Sequence, residues 1–143
     1  MNAVWNVANL FFRQINPRHL DEKTKSPNSV AFMPTPKDDN QLSVDDASLT
    51  TSENAWKRFV ESLGFQSAGT WAVSYGEVNA AGDLDVRSDP IVNVEDLTKN
   101  NPAHCLIDFT KITTKGQQRK RAQCLALAAT MRGCMFQPTF SSP

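Results

Sequence analysis

The chain lacks the cysteine pattern that a disulfide framework or a structural zinc site requires. It has 143 residues but only three cysteines, Cys105, Cys124 and Cys134. An odd number without Cys-x-x-Cys spacing excludes a fully paired disulfide scaffold and the usual zinc knuckles. Cys105 and Cys124 lie in apolar stretches, which is typical of buried thiols. We therefore expect free thiols, a reducing location such as the cytoplasm, and neither a metal nor another cofactor.

Long apolar runs and recognisable catalytic motifs are missing as well. No run approaches the roughly 18 residues that a membrane span requires, so no membrane partner is expected. The apolar stretch at 3–12 has neither the preceding cation nor the cleavage site of a signal peptide. The sequence contains no Gly-rich phosphate loop, no G-x-S-x-G and no H-E-x-x-H motif. These absences favour a non-enzymatic protein without excluding an enzyme.

A net charge is also absent, because 15 lysines and arginines balance 15 acidic residues. With 40% hydrophobic residues, this composition argues against intrinsic disorder. The length is that of a common single domain. Strand and helix patterns do not alternate regularly, which favours the α+β class over a doubly wound α/β sheet. We predict one α+β domain over 1–137 and a flexible C-terminal tail at 138–143.

Short segments rich in large apolar side chains predict four to six strands, mostly antiparallel. The segment at 70–78 alternates in the period of a half-buried strand, with 84–86 as its antiparallel partner. The apolar segment 105–109 indicates a central strand. Residues 3–9 fit the period of a short helix. The other expected strands are 10–15, 29–33 and 42–44.

Two main helices are predicted, at about 51–63 and 115–132. Thr50 and Glu53 have the spacing of a capping box for the first helix, and Gly64 supplies its end. In the second helix, apolar residues from Ala122 to Met131 cover almost the whole circumference. Such a helix is expected to be buried on nearly all sides, and its small residues also permit a homo-oligomer through 122–131.

Charge is segregated along the chain. Residues 51–110 hold four basic and nine acidic residues, a net of −5, whereas 111–143 hold six basic residues and no acid. The helix at 115–132 begins with a cluster of cations at the end where its dipole is already positive. This cluster is a candidate site for an anionic partner, or it pairs with the acidic segment 77–96 of the same chain. Its members are Lys115, Arg119, Lys120 and Arg121.

Four further residues are candidates for catalysis. His104 and Asp108 are four apart on one predicted strand, so they share a face but lie too far apart to hold one ligand unaided. Arg13 is a cation in an apolar strand and needs a partner, for which Glu77 is a candidate. An Arg on a first strand and a Glu on a later one also occur in ADP-ribosyltransferase-like folds.

The order of segments resembles a group of small bacterial proteins of no established activity. The resemblance covers residues 11–133 and lies in FRQINP, AFMPTPKDDNQLSV, an AW-containing helix, HCLIDF and an Ala-rich helix ending in RG. It implies a bacterial or phage origin and transfers no functional residue.

Two functions follow from these features. The favoured one is a non-enzymatic interaction module, or small subunit of a bacterial or phage complex. It would dock through its basic helix start onto an acidic protein surface or a nucleic-acid backbone. The alternative is a small enzyme acting on a nucleotide or nucleic acid, of the ADP-ribosyltransferase-like kind.

Overall fold

A single antiparallel sheet organises the protein in a computed structural model, which describes residues 5–36 and 39–139. The five strands lie in the order β3-β1-β2-β5-β4, and each neighbouring pair is antiparallel. Together with its helices, this sheet confirms the α+β prediction. The strands are β1 (Leu10–Gln14), β2 (Gln41–Asp46), β3 (Thr70–Ser74), β4 (Asp85–Ser88) and β5 (His104–Asp108); the helices are α1 (Ser52–Lys57), α2 (Tyr75–Ala80) and α3 (Lys115–Arg132).

The two faces of the sheet differ in character, because side chains alternate along each strand. One face is apolar and packs against α3 and a 3-10 turn at Ser29–Phe32 in the main core. The register places the remaining side chains on the opposite face, where α1 covers only the end formed by β1 and β3. Polar residues of β2 and β5 continue that second face: Ser43, Asp45, His104 and Asp108.

The first predicted helix forms, but its start and its second half differ from the prediction. Thr51, not Thr50, is the N-cap: its backbone is extended and its side chain accepts a hydrogen bond from Asn54 N. The helix therefore begins one residue later than a Thr50–Glu53 capping box would require. From Arg58 to Ser62 the turns widen into a π-helix. Gly64, with φ of +76°, ends the segment as predicted.

Helical structure replaces one predicted strand and shortens another. In place of the strand predicted at 29–33, Ser29–Phe32 form the 3-10 turn, because the Asn28 side chain accepts a hydrogen bond from Val30 N. The segment 70–78 is a strand only as far as Ser74, where a reciprocal capping box with Glu77 starts α2. Within its strand portion the side chains are all buried, not half-buried.

The other strand predictions are confirmed or changed in detail. The strands at 10–15 and 42–44 form, and 105–109 is an interior strand as expected. The strand near 84–86 also forms, but it pairs with β5 and not with β3. Residues 5–9 hold a turn where a helix was expected, and residues 3 and 4 of that prediction lie outside the described residues. Pro138 is buried, and 140–143 lie outside the described part of the expected tail.

Helix α3 has the predicted bounds but not the predicted surroundings. Thr114 caps it through Gln117 N, and Gly133 follows its last residue. Its buried side consists of Gln118, Ala122, Leu125, Ala126 and Ala129. The opposite side is open, with Cys124, Leu127 and Met131 exposed, so the expectation of burial on nearly all sides is wrong. No helix of the described part has the length and apolarity to cross a membrane.

Candidate functional site

The basic cluster at the start of α3 divides into two parts. Arg121 is engaged within the chain: its Nε donates to Gly82 O at 3.2 Å, and its Nη2 lies 3.8 Å from an Asp83 carboxylate oxygen. It therefore pairs with the acidic segment, as the intrachain interpretation proposed. Lys115, Arg119 and Lys120 are exposed, and none forms an ion pair with any described residue.

The exposed side of α3 continues from this cluster into an apolar surface. Lys120, Cys124, Leu127 and Met131 follow at spacings of four, three and four, which places them on one side of a helix. Leu127 is 61% exposed and Met131 is 80% exposed. We call these four residues the α3 stripe. A shallow groove beside it is lined by Glu77, Cys124, Leu127, Ala128, Met131 and Arg132.

Glu77 lies at one side of that groove, where it forms an ion pair with Arg132 and not with Arg13. The two side chains form a bidentate pair, with Nη1–Oε1 at 2.7 Å and Nη2–Oε2 at 3.0 Å. Arg132 also donates to Ala72 O, and Glu77 accepts from Ser74 N. Burial acts against ionisation, but the bonds from Arg132 and Ser74 outweigh it and lower the pKa of Glu77. The predicted Arg13–Glu77 pair is therefore wrong.

The Glu77→Gln variant should lower the free energy of unfolding at pH 7 by about 1–3 kcal/mol, because a charged hydrogen-bonded pair is lost. Since folding lowers the pKa of Glu77, its stabilisation is present above the ordinary value of 4.5 and is lost as pH falls through the folded pKa. The difference between wild type and variant in urea unfolding should thus shrink from pH 7 to pH 3. A difference that stays constant over this range would contradict the assignment.

Arg13 is satisfied by the backbone. Its Nε donates to Ala31 O and its Nη1 donates to Ser43 O, both at 3.0 Å. The register pairs of β1 and β2 stop at Phe12, just before this residue. The guanidinium therefore connects the two strands beyond their last paired residues, while Glu77 pairs with Arg132.

His104 and Asp108 lie on one face of β5, as their spacing predicted, but they belong to different environments. Asp108 accepts from Thr110 N at 2.8 Å and has Arg87 Nε at 3.9 Å. Burial disfavours the ionised form of Asp108, but the hydrogen bonds from Thr110 outweigh burial and lower the pKa of Asp108. His104 contacts Asp89 and Ser43 instead. Among the described residues, no three His, Cys, Asp or Glu side chains gather as metal ligands would.

His104 borders a cavity of about 200 Å³ between the polar face of the sheet and the π-helical segment. Beside it Asp45 accepts from Asn101 Nδ2 at 2.7 Å, and burial raises the pKa of Asp45. Sequence reasoning missed Ser43, Asp45 and Arg58 here. The signal for the first two was present, since they alternate with Leu42 and Val44. The cavity is lined by Phe12, Arg13, Gln14, Ser43, Val44, Asp45, Arg58, Phe59, Leu63, Phe65, Ile91 and His104.

Comparison with known proteins adds no assignment to either surface. No family model matches the chain, and neither a curated protein nor a solved structure matches it.

Proposed function

We propose that the protein is a docking module whose α3 stripe binds an acidic, amphipathic segment of a partner protein. The observation that carries the proposal is the exposure of Leu127 and Met131 directly beyond the cations at the start of the same helix. Nothing in this role requires a chemical reaction. It fits a small subunit of a larger bacterial or phage complex, the origin that the sequence resemblance implies.

The apolar half of the stripe supplies binding free energy. Covering a large apolar side chain removes it from water and contributes about 1.5–3 kcal/mol when burial is complete. Leu127 and Met131 are one helical turn apart, which suits the apolar side of a partner helix. Met131 is unbranched and adapts to irregular partner surfaces.

The cations in the first two turns of α3 supply selectivity for an acidic partner. Lys115, Arg119 and Lys120 stand near the helix end whose exposed N–H groups already carry positive partial charge. No acidic residue follows Asp108 in the sequence, so α3 offers no carboxylate of its own to offset them. Carboxylates from a partner would remove this repulsion and speed association.

A protein partner fits the stripe better than nucleic acid does. A phosphate backbone would neutralise the cations but would leave Leu127 and Met131 in water. A second copy of this chain would cover the apolar residues but would bring no carboxylate from its own α3. The expected reducing location is supported by Cys124 and Cys134, which are exposed and unpaired among the described residues. The ADP-ribosyltransferase-like alternative has less support, since Arg13 and Glu77 have separate partners.

A synthetic helical peptide with leucines on one side and glutamates on the other tests the proposal. Fluorescence anisotropy should detect its binding to the full chain, and Leu127→Asp or Lys120→Glu should weaken that binding at least tenfold. Leu49→Asp is the matched control, because Leu49 is also 61% exposed but lies in the turn that follows β2.

Four outcomes would contradict the docking proposal. One is equal binding of a peptide whose glutamates are replaced by lysines, and another is an equal loss for Leu49→Asp. The third is binding of duplex DNA that Lys120→Glu abolishes and Leu127→Asp leaves intact, which would assign the cations to nucleic acid. Light scattering of the protein alone identifies self-association, which would make the stripe a dimer contact instead.

A further inference from the structure

Three residues, Ser43, His104 and Asp89, form a continuous polar series at the edge of the cavity on the other face of the sheet. Ser43 Oγ lies 3.1 Å from His104 Nε2. On the other side of the ring, His104 Nδ1 lies 2.8 Å from Asp89 O and 3.2 Å from Asp89 Oδ2. The three residues come from β2, β5 and the segment that follows β4.

The partners of the histidine fix its tautomer. Asp89 O is a carbonyl oxygen and can only accept, so Nδ1 must carry the proton of a neutral ring. Nε2 is then the unprotonated nitrogen and accepts the hydrogen bond from the Ser43 hydroxyl. In this arrangement an imidazole acts as a base toward a serine, and here the carbonyl and the carboxylate of Asp89 together hold the ring in place.

The cavity offers space for a small substrate beside Ser43 and His104. Ser43 and His104 both line it, and much of the remaining wall is apolar, with Phe12, Phe59 and Leu63. Arg58 also lines it. Its positive charge favours an oxyanion that forms in the cavity.

We propose that Ser43, His104 and Asp89 form a catalytic site that hydrolyses small carboxylic esters bound in this cavity. The site lies on the sheet face opposite α3, so it adds an activity to the docking role and does not depend on it. A volume of about 200 Å³ admits only a short acyl group and a compact alcohol.

The reaction has two balanced halves. His104 Nε2 takes the Ser43 proton while Oγ bonds to the ester carbonyl carbon, and the positive charge of Arg58 stabilises the oxyanion that forms. The C–O bond to the alcohol then breaks, and the alcohol leaves with the proton from His104, giving an acyl-serine. Water, deprotonated by His104, attacks this ester; the carboxylic acid is released and Ser43 Oγ regains its proton. Asp89 keeps the ring oriented and is not consumed.

The test uses the purified full chain with a fluorophosphonate–rhodamine probe and with p-nitrophenyl acetate. The wild type should form a covalent adduct that peptide mass spectrometry places on Ser43. Ser43→Ala and His104→Gln should each lower the rate of ester hydrolysis about a thousandfold. Ser48→Ala is the control, because the Ser48 hydroxyl is bonded to Asp46 outside the cavity.

Adduct mapping on the wild type decides the result even if a variant fails to fold. Absence of an adduct on Ser43, or an adduct that forms equally fast in a folded His104→Gln variant, would overturn the proposal and make the series structural. Leu127→Asp should retain full esterase activity while losing peptide binding. Failure of the docking proposal and failure of the catalytic one are therefore distinguishable.

Discussion

Replacing Gly69 by alanine is expected to lower the free energy of unfolding by about 3 kcal/mol. Gly69 has φ of +154°, which side-chain-bearing residues rarely adopt. An added Cβ would lie 2.7 Å from Phe136 O and 3.0 Å from a ring carbon of Trp71. The carbonyl cannot easily move away, because it accepts the Thr70 N–H bond. Urea denaturation followed by circular dichroism measures the loss.

Gly116→Ala is the matched control for this substitution. Gly116 lies in the first turn of α3, and nothing stands within 4 Å of a Cβ added there. Because alanine favours a helix over glycine, the unfolding free energy should rise by up to about 1 kcal/mol. Equal effects of the two alanines would contradict the close contact between Gly69 and Phe136.

The second large effect is expected at Leu125. Its side chain is fully buried in the main core, so Leu125→Ala should cost about 2–5 kcal/mol in unfolding free energy. Leu127 is only two residues away on the same helix but is 61% exposed, and Leu127→Ala should change stability by no more than about 0.5 kcal/mol. Thermal and urea unfolding of both variants make the comparison.

The two leucines also test the surroundings of α3. A loss of several kcal/mol for Leu127→Ala at every protein concentration would mean that the helix is buried on all sides within one chain. A loss that grows with protein concentration would show that a second copy covers the stripe. Independence from concentration together with a small effect leaves the α3 stripe open for another protein.

The bounds of α3 were predictable because local chemistry alone determines them: Thr114 supplies the cap, and Gly133 ends the helix. Which of its residues are buried was not predictable, because an apolar side chain shows only that burial would be favourable. Leu125 and Leu127 have the same chemistry. Which of them meets the sheet depends on how the helix rotates against Phe11 and Ile107, and that contact is distant in sequence.

The sequence at the end of β3 contains a helix-start signal, but the alternation of apolar residues hides it. Ser74 and Glu77 have the spacing of a capping box, but Trp71, Val73 and Tyr75 keep the strand period across that boundary. The two local preferences overlap, and only packing decides where the strand stops. The same holds for the partner of 84–86, because strand neighbours follow from tertiary contacts.

The cavity could not be derived from the sequence because its residues are far apart in it. Ser43 and His104 are separated by 61 positions, and they meet through the register of β2 on β5. A shift of one residue in that register would turn Ser43 toward the opposite face. His104 was a candidate from its chemistry alone, whereas Ser43 and Asp89 acquire a role only through their neighbour.

The return of the chain after α3 has a consequence for solubility. β3 is an outer strand of the sheet, and its free backbone groups would otherwise offer a template for strands of other molecules. Three hydrogen bonds satisfy these groups: Phe136 O accepts from Thr70 N, Met135 N donates to Thr70 O, and Arg132 Nη1 donates to Ala72 O. The end of α3 and the segment after it thus protect the edge strand from pairing with other molecules. A chain cut before residue 132 would leave the backbone groups of β3 unpaired and should aggregate more readily.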